Sequence, residues 1–235
     1  MSIKAVLFDL DGTLLPMDQD TFVKCYFGKL VTRMSDYGFE PQRLMKTIFS
    51  GVSAMIKNNG EKTNEERFWE VLSAEYGDII EENKINFEKF YINDFDSVSE
   101  VCKFTPKSLE IVNFVKARGF RTALATSPLF PSIATEKRMG WAGLKPSDFE
   151  FYTTFENYKH AKPNIEYYYD VLRAMDLKAE ECLMVGNDVT EDMIAASIGM
   201  KVFLLTDYLI NRNNIDISPF DRGGFDELFE FIEKI

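Results

Sequence analysis

Short apolar runs recur along the chain, and each gives way to a loop that carries polar residues or glycine. The first, residues 3–8 (Ile-Lys-Ala-Val-Leu-Phe), leads straight into Asp9-Leu10-Asp11-Gly12-Thr13. A buried parallel strand delivers polar residues to the loop at its C-terminal end in this way. Four further runs have the same character: Thr122 to Ala125, Phe151 to Thr153, Cys182 to Val185, and Val202 to Leu205. Between them the spacing turns helical. Thr105, with Pro106 at the first helical position, opens a stretch with apolar residues at Leu109, Val112 and Val115, and Gly119 closes it as a left-handed cap. Strands alternating with helices predict an α/β fold, a parallel sheet covered on both faces. Ligands of such sheets bind beyond the carboxyl ends of the strands, where Asp9, Thr126 and Asp188 would lie.

Residues 17–99 break the alternation. They contain no convincing strand and several helical stretches rich in Phe, Met and Glu. Thr63-Asn64-Glu65-Glu66 has capping-box spacing ahead of Phe68, Trp69, Val71 and Leu72. The expectation is a helical domain of residues 17–99 inserted after the first strand of a core formed by residues 1–16 and 100–235. Near the end, Phe225, Leu228, Phe229 and Ile232 follow helical spacing and are expected to pack back on the core.

Composition narrows the classes. With 46% hydrophobic and 28% charged residues the chain reads as a soluble globular protein rather than a disordered one. A net charge of -11 and no basic run argue against nucleic-acid binding, which rests on clustered Lys and Arg. No apolar stretch approaches the roughly 20 residues of a membrane span, and the N-terminus enters a strand-like run without the regions of a signal peptide. Cys25, Cys102 and Cys182 are odd in number and far apart, so they form neither a disulfide framework nor a zinc spacing. They read as core thiols of a cytoplasmic, reducing compartment. Oligomeric state is open.

Four places carry candidate chemistry. Asp9 and Asp11 stand one residue apart after a strand, and Gly12 allows a sharp turn that faces both carboxylates to one point. One acid can coordinate Mg²⁺ and attack phosphorus while the other holds a proton for the leaving oxygen. Taken alone, Asp-x-Asp-Gly is equally the pattern of an Asx turn at a strand end. Thr126-Ser127, after the second core strand, offers hydroxyls and backbone N–H groups to phosphate oxygens. Lys162, in His160-Ala161-Lys162-Pro163, can neutralise charge on a nucleophile and a transferring phosphoryl group. Gly186-Asn187-Asp188-Val189-Thr190-Glu191-Asp192 is a glycine turn followed by an acidic cluster that opens a helix. Mg²⁺ takes one or two carboxylates plus waters and phosphate oxygens, which Asp9 and Asp188 can supply together. Asp192, a turn beyond Asp188, would hold a water or orient Lys162, whereas Glu191 reads as helix capping. His160, the only His, reads as a loop residue.

Taken together, these motifs resemble those of the haloacid dehalogenase-like hydrolases. The resemblance covers residues 1 to about 16 and 100 to about 205: Phe8-Asp9-Leu10-Asp11-Gly12-Thr13-Leu14 is similar to the first family motif, and Thr126, Lys162-Pro163 and Gly186 to Asp192 to the other three. It implies a Rossmann-like doubly wound core with a helical cap after the first strand. It implies Asp9 as nucleophile and metal ligand, and Asp11 as general acid/base with its carbonyl on the metal. Thr126 and Lys162 resemble the phosphate-binding pair, with Ser127 beside them, and Asp188 the further metal carboxylate. Where many members have Gly-Asp, this chain has Gly186-Asn187-Asp188, so either position can be the direct ligand. Asp188 is preferred for its four-residue spacing to Asp192, and an amide is the poorer ligand for a hard cation.

Asp11 narrows the reaction, because an alkoxide leaving group needs a proton and a halide does not. The expectation is a Mg²⁺-dependent phosphohydrolase acting on a small phosphorylated metabolite through an aspartyl phosphate. A sugar-phosphate mutase on the same scaffold, or a non-catalytic regulatory relative, are the alternatives. Specificity would lie in segment 17–99, with Pro16 to Asp20 and Gly51 to Asn59 as candidate loops.

Overall fold

A computed structural model describes residues 2–235, so Met1 of the expected core segment lies outside the described residues. Five parallel strands, β1 (Ala5–Phe8), β2 (Arg121–Leu124), β3 (Cys182–Gly186), β4 (Lys201–Leu205) and β5 (Asp221–Gly223), form one sheet in the order β2-β1-β3-β4-β5. β1 is wholly buried, and its alternation sends Ala5 and Leu7 to one face and Val6 and Phe8 to the other. Helix α7 (Ile165–Met175) packs Tyr167, Tyr168, Val171 and Leu172 on the first face. Helices α5 (Lys107–Ala117), α6 (Ser132–Trp141) and α8 (Phe225–Glu233) cover the second, where α8 buries Phe225, Leu228 and Ile232 at the spacing expected. Each fully buried Val, Leu or Phe contributes roughly 1.5–3 kcal/mol, which is why both faces of a parallel sheet need helices over them.

Four helices, α1 (Gln19–Ser35), α2 (Pro41–Ile56), α3 (Asn64–Tyr76) and α4 (Asp78–Asn93), fill the segment between β1 and α5. Their buried side chains, among them Phe22, Leu30, Leu44, Leu72 and Phe90, are continuous with the apolar layer on the α5–α6–α8 face. The capping box forms: Glu66 N donates to Thr63 Oγ1 at 3.2 Å and Thr63 N to Glu66 Oε2 at 2.7 Å. This fixes the start of α3, which docks on the core loops through Asn64 N to the Tyr158 carbonyl (2.9 Å), Glu65 N to the Phe155 carbonyl (2.9 Å) and buried Asn64 Nδ2 to the Pro128 carbonyl (3.1 Å).

Several local expectations are corrected. Phe151–Thr153 is not a strand but a single parallel bridge from Tyr152 to Leu124, because Asn157 Oδ1 accepts from Thr154 N at 3.0 Å and turns the chain away. Strand β5, which has no apolar residue for a pattern to register, is an exposed edge. Helix α5 begins at Lys107 with Pro106 at its cap, and Leu109 faces solvent while Ile111, Val112 and Val115 are buried; Gly119, at φ +81°, closes it left-handed. The acidic motif is followed by one short 3₁₀ stretch, Met193–Ile198, rather than an α-helix. Of the cysteines only Cys182 is fully buried, and Cys25 and Cys102 are half-buried. No helix among the described residues is long and apolar enough to cross a membrane.

The Thr63→Ala variant removes one half of the capping box, which costs about 1 kcal/mol. For a chain of this length the thermal midpoint is expected to fall by roughly 2–4 °C, and an unchanged midpoint would mean that the docking bonds alone hold α3.

Candidate active site

The chain turns from one wing of the sheet to the other at β1, whose neighbours are β2 and β3. Open α/β sheets bind ligands in the crevice at such a switch point. The register Phe8↔Leu124 and Phe8↔Val185 ends three strands level, so Asp9, Thr126 and the Asn187-Asp188 pair leave the sheet at one edge. Asp9 N continues the ladder to the Val185 carbonyl at 2.9 Å, which fixes the carboxylate just above it.

Asp9 is buried, with two partners. Lys162 Nζ donates to its Oδ1 at 2.9 Å and Thr13 Oγ1 to its Oδ2 at 3.2 Å. Lys162, only 1% exposed, also donates to Asp192 Oδ1 at 2.6 Å, so one ammonium bridges two carboxylates. Burial opposes the charge on Lys162, and Asp192 and Asp9 outweigh it, holding its pKa well above the usual lysine value. Asp192 is aimed by Asp188 N, which donates to its other oxygen at 2.9 Å, and by Gly186, where a side chain would occupy the space of the Asp192 carboxylate. Asp192 is thus in direct contact with Lys162.

Asn187 is buried and hydrogen-bonded at both ends of its amide: Oδ1 shares the Thr13 hydroxyl proton with Asp9, at 2.9 Å, and Nδ2 donates to the Tyr208 carbonyl at 2.6 Å. It braces the loop after β1 rather than pointing a free oxygen outward. Gly12, at φ +80°, has no room for a side chain against the same amide. Asp188 Oδ1 accepts from Thr190 N (2.7 Å) and Glu191 N (2.9 Å), leaving Oδ2 without a partner among the described residues.

Asp11 stands apart from this network. Its Oδ2 pairs with Arg138, which is completely buried on α6, and its Oδ1 is buried without a partner. Burial pushes the Asp11 carboxyl up, and Arg138 counters part of that rise. Sequence reasoning missed Arg138. Its one signal is its place on the buried face of α6, four residues after Ala134. Thr126 is buried, and its carbonyl accepts from Tyr167 and Thr153; the neighbouring Ser127 Oγ is a buried hydroxyl without a partner. His160 Nδ1 pairs with Asp170 Oδ2 on α7 at 2.7 Å. Glu191, expected only to cap, is a correction: it is half-buried against an apolar cavity, and burial pushes its carboxyl up to about 8.

Among the described residues no three His, Cys, Asp or Glu side chains surround a common point. Mg²⁺ does not ask for such a cage. The Asp11 backbone carbonyl accepts no hydrogen bond among the described residues, and Asp9 Oδ2 and Asp188 Oδ2 keep open lone pairs, a donor set of hard oxygens that fits the ion.

A family model of haloacid dehalogenase-like hydrolases matches residues 3–198. The chain belongs to that family. This haloacid dehalogenase-like hydrolase is 25% identical, over 93% of its length and 96% of the relative's, to a glyceraldehyde 3-phosphate phosphatase of Methanothermobacter thermautotrophicus. It is 24% identical to the pyrophosphatase PpaX of Bacillus cereus over 86% of its length and 82% of that protein's. In fold it resembles a 2-haloacid dehalogenase of Pseudomonas syringae (18% identity, TM-score 0.67) and a predicted phosphoglycolate phosphatase of Haemophilus somnus (20%, TM-score 0.61), each covering 99% of both chains.

Replacing Lys162 by Met leaves Asp9 and Asp192 buried without their shared cation. Removing one partner of a buried pair costs about 3–5 kcal/mol. Urea unfolding of Lys162→Met is expected to show a loss of that size, with Lys162→Met/Asp192→Asn recovering part of it. A single variant as stable as the parent would contradict the ion triad.

Proposed function

We propose that this family member is a Mg²⁺-dependent phosphohydrolase of small phosphorylated metabolites that works through an aspartyl phosphate on Asp9. The observation that carries the reading is the Asp9 carboxylate at the switch point, gripped by Lys162 and Thr13 with Asp192 anchoring the lysine. Curated relatives with phosphatase names, similar over most of the chain, support the reaction class.

An oxygen of Asp9 attacks phosphorus, and the bond from phosphorus to the leaving oxygen breaks. Lys162 offsets charge on the nucleophile and on the phosphoryl oxygens, while Ser127 Oγ and the N–H groups after β2 hold those oxygens. Arg138 keeps Asp11 in place through one oxygen, and the unpartnered Oδ1 carries the proton that goes to the leaving group. Burial suits Asp11 to that task, since it favours the protonated acid. In the second half Asp11 takes a proton from water, the water oxygen bonds to phosphorus, and the phosphorus–Asp9 bond breaks to regenerate the carboxylate. Asp9, the Asp11 carbonyl and Asp188 would hold Mg²⁺, which when bound would supply charge neutralisation to the phosphoryl oxygens. Helices α1 to α4 serve as the cap over this site.

The test is phosphate release from aryl and alkyl phosphates. Release is expected to require Mg²⁺, to stop with chelator, and to fall at least about 10³-fold in Asp9→Asn. Metal-independent release, or full activity in that variant, would overturn the reading. For Asp11→Asn the expected loss is about 10²–10⁴-fold on alkyl phosphates and much smaller on p-nitrophenyl phosphate, whose leaving group needs no proton. Equal losses on both would remove the acid role.

A further inference from the structure

An apolar cavity of about 250 Å³ lies between helices α1 to α4 and the loop at Leu129-Phe130. Val23, Tyr26, Val52, Phe68, Trp69 and Phe130 form much of its wall. The hydroxyls of Tyr26 and Tyr91 share one hydrogen bond at 2.6 Å. The other polar side chains on its wall are exposed Gln19 and half-buried Glu191. No Lys or Arg lines it among the described residues.

The cavity adjoins the candidate site at two points. Arg138 lies over the Phe130 ring, 4.3 Å from its centroid, and pairs with Asp11 on the other side. Glu191 is the residue before Asp192 and donates its N–H to Asp188. Two segments expected to set specificity reach the wall as well, through Gln19 and through Val52 and Ile56.

We propose that this cavity receives the leaving group of the substrate, and that this group is uncharged, largely apolar and about the size of one ring. The inference rests on the phosphohydrolase reading and adds the substrate class to it. A dry apolar cavity of roughly 150 Å³ accommodates benzene, so the space here takes one ring and a short linker. A second phosphate or a carboxylate would enter without a counter-ion, because Arg138 is committed to Asp11, and an unpaired anion in an apolar site is strongly disfavoured. Phosphoesters whose leaving group carries such a charge are therefore poor substrates.

The experiment compares benzyl phosphate, ethyl phosphate, phosphoglycolate and pyrophosphate on the full chain with Mg²⁺, read as kcat/KM. Benzyl phosphate is expected to exceed ethyl phosphate at least about 10-fold, from the extra apolar surface buried, and to exceed both multiply charged compounds by more. In Val52→Phe, which fills the cavity, the benzyl-to-ethyl ratio should fall toward one. Ethyl phosphate or phosphoglycolate turned over as well as benzyl phosphate would overturn the inference while leaving the phosphohydrolase reading intact. Release from none of the four would instead count against that reading. Calorimetric titration of benzylphosphonate and methylphosphonate measures the same preference without turnover: at least about 10-fold tighter binding of the benzyl compound is expected, and equal affinity would overturn the inference.

Discussion

The buried ammonium of Lys162 sets where the carboxylates around it must stand. A cation taken out of water is tolerable only beside opposite charge, and here Asp9 and Asp192 supply it at 2.9 and 2.6 Å. The backbone follows from that requirement. Gly186 has no side chain because the Asp192 carboxylate fills the space beside it, and Gly12 has none because Asn187 does. Asn187, in turn, ties the loop after β1 to the Tyr208 carbonyl. Loops from the ends of β1 and β3 thus meet around one charge, with Asp9 bonded to both Lys162 and Thr13.

Asp11 is held by a second, separate cation. Arg138 comes from α6, which packs on the α5–α6–α8 face of the sheet and lies beneath the helical segment α1 to α4. Its guanidinium touches Asp11 on one side and the Phe130 ring on the other, so the acid candidate and the cavity wall share a support. The two cations are separate: Lys162 bridges Asp9 and Asp192, and Arg138 pairs with Asp11.

The core was legible because its signals are local. An apolar run before Asp9, a capping box at Thr63 and helical spacing at Phe225, Leu228 and Ile232 each depend on a few neighbouring residues. That Asp9 and the acidic motif after Gly186 meet was legible because parallel strands end near one another, whereas Lys162 reaches them from the loop before α7. What escaped depends on distant partners. Strand β5 is polar and exposed, and is a strand only because β4 offers it an edge. Arg138 looks like an ordinary helix cation until Asp11 is brought to it from 127 positions away. Glu191 has the position of a cap, and only the packing of α1 to α4 gives it an apolar neighbour. The motif alone does not show that the Asn187 amide bonds to Thr13 and Tyr208.

The proposed reaction passes through a covalent bond between Asp9 and phosphorus. Acid quenching during turnover of benzyl phosphate, followed by borohydride reduction and peptide mass spectrometry, reads that bond directly, because reduction converts a phosphorylated aspartate to homoserine. Homoserine is expected at position 9 and at no other aspartate. Sustained phosphate release with Asp9 recovered unmodified, or homoserine at another aspartate, would contradict it.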